Sequence, residues 1–212
     1  MKAVLFDLDG TLANTLTDIA AAMNYSLEKN GLPGFQVDDY RYMVGDGISW
    51  LAARAVTNHQ DKKEKVQADY QARYSAHALD TTAPYEGIPE LLTALKARGL
   101  KLVVLSNKPD PDTKQVIEKL FPSGTFDIVR GALPHVPVKP DPTAALHLAA
   151  ELGYDPEEFL YLGDTSVDMT CAIQTGMHPI GVLWGFRDAE ELQHAGAETV
   201  ISHPMELLDL LR

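Results

Sequence analysis

Asp7 and Asp9 flank a single leucine at the end of the apolar run Ala3-Val4-Leu5-Phe6, and Gly10 and Thr11 follow at once. Two carboxylates crowded into one pocket need a cation or a proton to coexist. In a strand a spacing of two points both side chains the same way, so the pair predicts a metal site, acid–base chemistry, or both. Gly10 permits a sharp exit, and Thr11 adds a hydroxyl and a backbone N–H beside the acids. Three later segments carry matching chemistry. Ser106 and Asn107 offer a hydroxyl and an amide suited to phosphate oxygens. Lys139 stands where two nearby prolines stiffen the chain and is read as a fixed positive charge, and Asp164 and Asp168 are candidate metal ligands. With Asp7, Asp164 and Asp168 ionised and Asp9 protonated, one divalent cation and Lys139 bring the pocket near neutrality, which admits a phosphate dianion. All-oxygen ligands beside a phosphate favour Mg²⁺.

These residues need a scaffold that brings them to one edge. Strand-like apolar segments recur at 3 to 6, 101 to 105, 126 to 130, 159 to 162, 179 to 183 and 198 to 201, alternating with helical patterns at 87 to 98, 111 to 121, 142 to 152 and 166 to 176. Gly99, Gly153 and Gly176 stand where those helices should stop. The alternation predicts an α/β fold, a doubly wound parallel sheet whose ligands bind beyond the carboxyl ends of the strands. Each chemical segment above directly follows a strand or precedes a helix. From 14 to 81 the pattern is helical throughout, which predicts a helical cap inserted into a core made of residues 1–13 and 82–212. Leaving the core right after the acid pair, the cap is placed to act as a lid.

The composition excludes other classes. Thirty acidic against eighteen basic residues give a net charge of −12, with no local basic patch, which disfavours nucleic acid and anionic membrane surfaces. No apolar run approaches the roughly 18 residues of a membrane span. A single cysteine, Cys171, precludes an intramolecular disulfide, and no signal-peptide pattern precedes the first strand. The expectation is a cytoplasmic protein, a monomer or homodimer acting on a small molecule.

The four segments, in this order, resemble the haloacid dehalogenase superfamily of phosphohydrolases across nearly the whole chain. Asp7 to Thr11 match its first motif, Ser106 the second, Lys139 the third, and Asp164 with Asp168 the fourth. The resemblance implies that Asp7 attacks phosphorus to form an aspartyl-phosphate, while Asp9 protonates the leaving oxygen and then activates water. It also implies Mg²⁺ held by Asp7, the Asp9 carbonyl and Asp164, with Asp168 nearby. The insert matches that family's helical cap of the first type. Within the family the chain is most similar to phosphoglycolate phosphatases, through Thr17-Asp18-Ile19, Val44-Gly45-Asp46-Gly47, Arg54 and Ser106-Asn107-Lys108-Pro109, while Asn14-Thr15 departs from their common Asp-Ser. Gly45, Asp46, Gly47 and Arg54 are thus the cap residues expected at the substrate, with Arg54 on a substrate carboxylate.

Alternatives stay open at this point. Pyrophosphatase, sugar-phosphate phosphatase and phosphomutase chemistry use the same machinery, although the chain has no histidine just after the first motif such as some mutases carry. A phosphorylation-switched signalling module also gathers acids, a hydroxyl and a lysine at strand ends, but normally on a later strand and without such an insert. Cys171 is expected in packing rather than redox chemistry. Trp184-Gly185-Phe186 is expected either to line the site mouth or to cover the sheet.

Overall fold

Along the first strand Val4 and Phe6 face one apolar cluster and Ala3 and Leu5 face another. This is the period-two division of a strand buried on both sides. The computed structural model describes residues 1–211. Its strands are β1 (Ala3–Phe6), β2 (Ala13–Asn14), β3 (Ala83–Pro84), β4 (Lys101–Pro109), β5 (Ile128–Ala132), β6 (Phe159–Gly163), β7 (His178–Val182) and β8 (Thr199–Ile201). Six of them form one parallel sheet in the order β5-β4-β1-β6-β7-β8. The chain runs outward from β1 to β4 and β5, then crosses back to β6 on the other side of β1. That reversal opens a crevice at the carboxyl ends of β1, β4 and β6, the place where doubly wound sheets bind ligands.

Helices α1 (Leu16–Lys29), α2 (Ile48–Val56) and α3 (Lys63–His77) lie between β2 and β3, and α4 (Ile88–Ala97), α5 (Asp110–Leu120), α6 (Thr143–Leu152), α7 (Ser166–Thr175) and α8 (Ala189–His194) flank the sheet. In α4, Ile88, Leu91, Leu92 and Leu95 repeat at helical spacing and are all buried. The doubly wound parallel architecture expected from the sequence is the one observed. The strand expected from 126 starts at Ile128, because Phe126 turns inward to meet Phe6 and Phe121 edge-on, with ring centroids 6.4 and 5.5 Å away. α8 and the short β2–β3 pair, in which Ala13 and Asn14 run antiparallel to Pro84 and Ala83, had no counterpart in the sequence reading.

The β2–β3 pair joins the two chain crossings between the sheet and the layer α1–α3. One apolar cluster runs without a break from Phe6 and Val104 through Leu12 and Leu16 to Met23 and Tyr70, so that helical layer and one sheet face share a core. A polar clamp reinforces the crossing. Asp18, buried in the first turn of α1, accepts the N–H groups of Thr81 and Thr82 and both their hydroxyls, the latter at 2.6 and 2.7 Å. Burial raises its pKa, but these donors outweigh burial and hold the carboxyl below its ordinary value. Removing it would strand four donors. Asp18→Ala is therefore expected to cost about 3 kcal/mol, read as a lower urea midpoint at unchanged m. A loss below about 1 kcal/mol would show that the clamp is dispensable.

Candidate active site

Asp7 is the last rung of the central ladder: its N–H donates to the Leu162 carbonyl at 2.9 Å, after which the chain leaves the sheet. Asp9 consequently lies on the exit loop and not on the strand, yet both carboxylates border one cavity. Gly10 makes the turn with φ +88°, and a Cβ there would sit 2.1 Å from Asp164 Oδ2. Gly163 serves the same purpose one strand away, where a Cβ would sit 2.1 Å from that of Asp168. The missing side chain at Gly10 lets the first and fourth segments touch, and the one at Gly163 lets the fourth segment fold Asp168 back against its own strand end.

Lys139 joins them. Its Nζ donates to Asp7 Oδ1 and Asp168 Oδ1, each at 2.7 Å, and to the Leu105 carbonyl at 3.0 Å. Carboxylate oxygens of Asp7, Asp164 and Asp168 lie within 4.8 Å of one another, and all three residues are buried. Burial, then repulsion from Asp168 and Asp9, pushes the Asp7 carboxyl up to about 7 against the pull of Lys139. Burial and the charges of Asp7 and Asp168 push Asp164 well above the usual range as well. Lys139 itself is raised, its two acid partners outweighing burial. Three buried acids against one ammonium leave the pocket short of positive charge. Hard oxygen donors held this close fit a small divalent cation.

The donor map separates the three acids. Among the described residues only Oδ1 of Asp7 is held, by Lys139, leaving Oδ2 to attack or to ligate. Asp164 accepts from the Phe186 N–H at 2.8 Å and from the Thr11 hydroxyl at 3.3 Å. Both oxygens of Asp168 are committed, one to Lys139 and the other to the hydroxyl of Thr165, at the head of α7. Asp168 thus fixes Lys139 and the helix start while standing at the edge of the acid cluster.

Several residues expected at the substrate are engaged within the protein. Thr11 is fully buried with its hydroxyl on Asp164 and its carbonyl accepting from Trp184 Nε1 at 2.9 Å, so it does not face the cavity. Asn107 donates to the carbonyls of Gly45 and Lys139, both at 2.9 Å, and accepts the Lys139 N–H, leaving no amide donor for a phosphate. Arg54 does not reach the cavity either. It pairs with Asp46 at 2.5 Å, donates to the Met43 carbonyl at 2.8 Å and packs on Trp50, so Asp46 and Arg54 hold the loop whose Gly45 and Gly47 do line the cavity. Ser106 lines it as expected. Cys171 is buried, and burial pushes its thiol up to about 11, in keeping with packing.

Other residues enter to which the sequence reading gave no role. Lys108 pairs with both oxygens of Asp9 at 2.7 Å, and Thr15 donates to Asp9 Oδ1 at 2.6 Å. Above them the stacked rings of Tyr70 and Tyr74 on α3, 5.5 Å apart, form part of the roof. The space between, about 510 Å³ with its mouth, has Asp7, Asp9 and Ser106 at its base and Ile48 and Leu51 of α2 opposite. Layer and core are also tied through main-chain oxygens: Arg41 donates to the carbonyls of Gly185 and Phe186, and Arg187 to that of Val44.

Residues 4–182 match the model of the haloacid dehalogenase-like hydrolase family. The chain is 33% identical over 215 residues to a phosphoglycolate phosphatase of Aquifex aeolicus, covering 100% of this chain and 97% of that one. It is 32% identical over 214 residues to an N-acetylmuramic acid 6-phosphate phosphatase of Pseudomonas aeruginosa, covering 100% and 95%. Among solved structures, a Lactobacillus delbrueckii subsp. bulgaricus protein superposes with a TM-score of 0.94 at 29% identity over 99% of this chain and 98% of the other.

Proposed function

This chain belongs to the haloacid dehalogenase-like hydrolases and is a phosphatase, and we propose that its substrate is 2-phosphoglycolate, hydrolysed through a phosphorylated Asp7. The observation that carries the chemistry is the buried cluster of Asp7, Lys139, Asp164 and Asp168, which meets at Asp7 the cavity that Asp7 and Asp9 line. Full-length similarity to phosphoglycolate phosphatases carries the substrate. The phosphoglycolate phosphatase and the N-acetylmuramic acid 6-phosphate phosphatase that this chain resembles both act on phosphate esters of an acid.

Asp7 Oδ2, the oxygen free of Lys139, forms the bond to phosphorus as the bond to the ester oxygen breaks. Asp9 stands beside it, oriented by Thr15 and Lys108, and delivers a proton to the departing oxygen so that it leaves as an alcohol. In the second half, Asp9 takes a proton from water as the water oxygen attacks phosphorus. The Asp7–phosphorus bond then breaks, releasing inorganic phosphate and restoring the carboxylate. Lys139 neutralises charge at Asp7 throughout and is fixed by Asp168, while the Ser106 hydroxyl is placed to meet a phosphate oxygen. Mg²⁺, held by Asp7 and Asp164, would supply the positive charge this pocket lacks and let a dianionic ester enter.

A phosphate-release screen with Mg²⁺ over 2-phosphoglycolate, N-acetylmuramic acid 6-phosphate, other sugar phosphates, nucleotides and pyrophosphate tests this. The expected result is a kcat/KM for 2-phosphoglycolate at least about tenfold above the rest, abolished by EDTA and restored by Mg²⁺. A higher kcat/KM for a sugar phosphate or for pyrophosphate would replace the substrate assignment, and full turnover in EDTA would overturn the role of the acid cluster.

A further inference from the structure

The phosphate end of a substrate is served by Asp7, Lys139 and Ser106, so its other end must meet the rest of the cavity wall. That remainder is mostly apolar, from Ile19, Val44, Ile48 and Leu51. Lys108 is the one cation among the described residues that line the cavity. The neighbouring arginines are engaged elsewhere, Arg54 on Asp46 and Arg41 and Arg187 on main-chain carbonyls. Asp112 also borders the cavity, with its oxygens taken by Ser75 and Gln71.

Two observations mark a recognition point. Lys108 is 8% exposed, and its Nζ lies 4.6 Å from the centre of the Tyr74 ring. An ammonium has three donors; Asp9 takes no more than two, no further acceptor among the described residues bonds Nζ, and its nearby ring face is a weaker partner than a carboxylate. The Tyr74 hydroxyl, in a residue 1% exposed that lines the same cavity, has no hydrogen-bond partner among the described residues. Buried hydroxyls are rarely left so, and a ligand oxygen is the partner this one lacks. Because Lys108 is bonded to Asp9, two residues from Asp7, only a short molecule spans ammonium and nucleophile.

We propose that Lys108 and the Tyr74 hydroxyl form the specificity subsite, receiving the carboxylate of a short phosphorylated acid while its phosphate rests at Asp7. This rests on the phosphatase assignment and narrows the substrate class. The test compares kcat/KM for 2-phosphoglycolate, for 2-phospholactate and for ethyl phosphate, which matches 2-phosphoglycolate in length without the carboxylate. Wild-type protein prefers the acids, and that preference, as a ratio to ethyl phosphate, falls about 100-fold in Lys108→Met and about tenfold in Tyr74→Phe. The ratio separates recognition from structure, since a merely structural loss lowers all three esters together. Tyr74→Phe removes a hydroxyl that bonds nothing in the fold, so it reports even where Lys108→Met does not fold. If the preference for 2-phosphoglycolate survives both substitutions, the subsite is wrong and the substrate assignment stands. If wild type prefers 2-phospholactate and loses that preference in the variants, the subsite stands and the 2-phosphoglycolate assignment falls. No preference for either acid overturns both.

Discussion

Asp7→Asn lowers phosphate release by at least about 10⁴-fold, the scale expected when a covalent nucleophile is removed, and it leaves a folded protein. The amide keeps the shape of the carboxyl and removes a charge that the pocket holds at a cost. In EDTA the difference has a definite pH signature. The wild-type carboxyl is raised to about 7 from an ordinary value of 3.8. The folded protein therefore binds this proton more tightly than the unfolded chain does. The stability it contributes is fully present below the unfolded value and is lost as pH rises through about 7. Asp7→Asn has no such proton, so the wild-type melting temperature falls relative to the variant's across that window, and Mg²⁺ narrows the gap. Depressed carboxyls such as Asp18 act with opposite sign below the ordinary aspartate range, outside this window. Residual turnover above about 1% of wild type, with deamidation excluded by mass spectrometry, would show that Asp7 is not the nucleophile.

Lys139→Met is the second large effect. Its ammonium is shared between Asp7 and Asp168 with all three residues buried, so its loss leaves the acids facing one another without compensation. Removing one partner from a buried charge network costs about 3–5 kcal/mol, measured here by urea denaturation in EDTA, and Mg²⁺ should recover part of it. Turnover should fall by about 10²–10³-fold as charge stabilisation at the phosphate is lost. Arginine should not rescue, because a branched guanidinium does not reproduce two 2.7 Å contacts made from one nitrogen. Activity within tenfold of wild type in Lys139→Met would remove Lys139 from the chemistry.

The core site was legible because its residues stand just after strands or at the approach to helices, and the apolar runs of those strands are hard to mistake. Strand ends in a parallel sheet all open on one edge, so the order of four short segments was enough to bring Asp7, Lys139, Asp164 and Asp168 together. What the sequence could not show is how polar groups pair across 30 or more residues. Thr11 does stand with its hydroxyl beside the acids, on Asp164, whereas Asn107 reads as a phosphate ligand until its partners at Gly45 and Lys139 are known. At shorter range, Arg54 looks like a free cation until the turn before α2 is seen to bring Asp46 against it. Lys108 and Tyr74 were missed for the complementary reason: on α3 the tyrosine sits in a weakly amphipathic run, and only the docking of α3 over β4 turns it toward Lys108.

The ties between roof and base have a consequence for how such a protein can diversify. Arg41, Arg187 and Asn107 all grip carbonyl oxygens, at Gly185, Phe186, Val44 and Gly45. A peptide oxygen is offered by every amino acid, so the receiving side of each tie is indifferent to which residue occupies it. Descendant sequences can therefore exchange Val44, which borders the cavity, to accommodate a new molecule without unfastening the tie at its carbonyl.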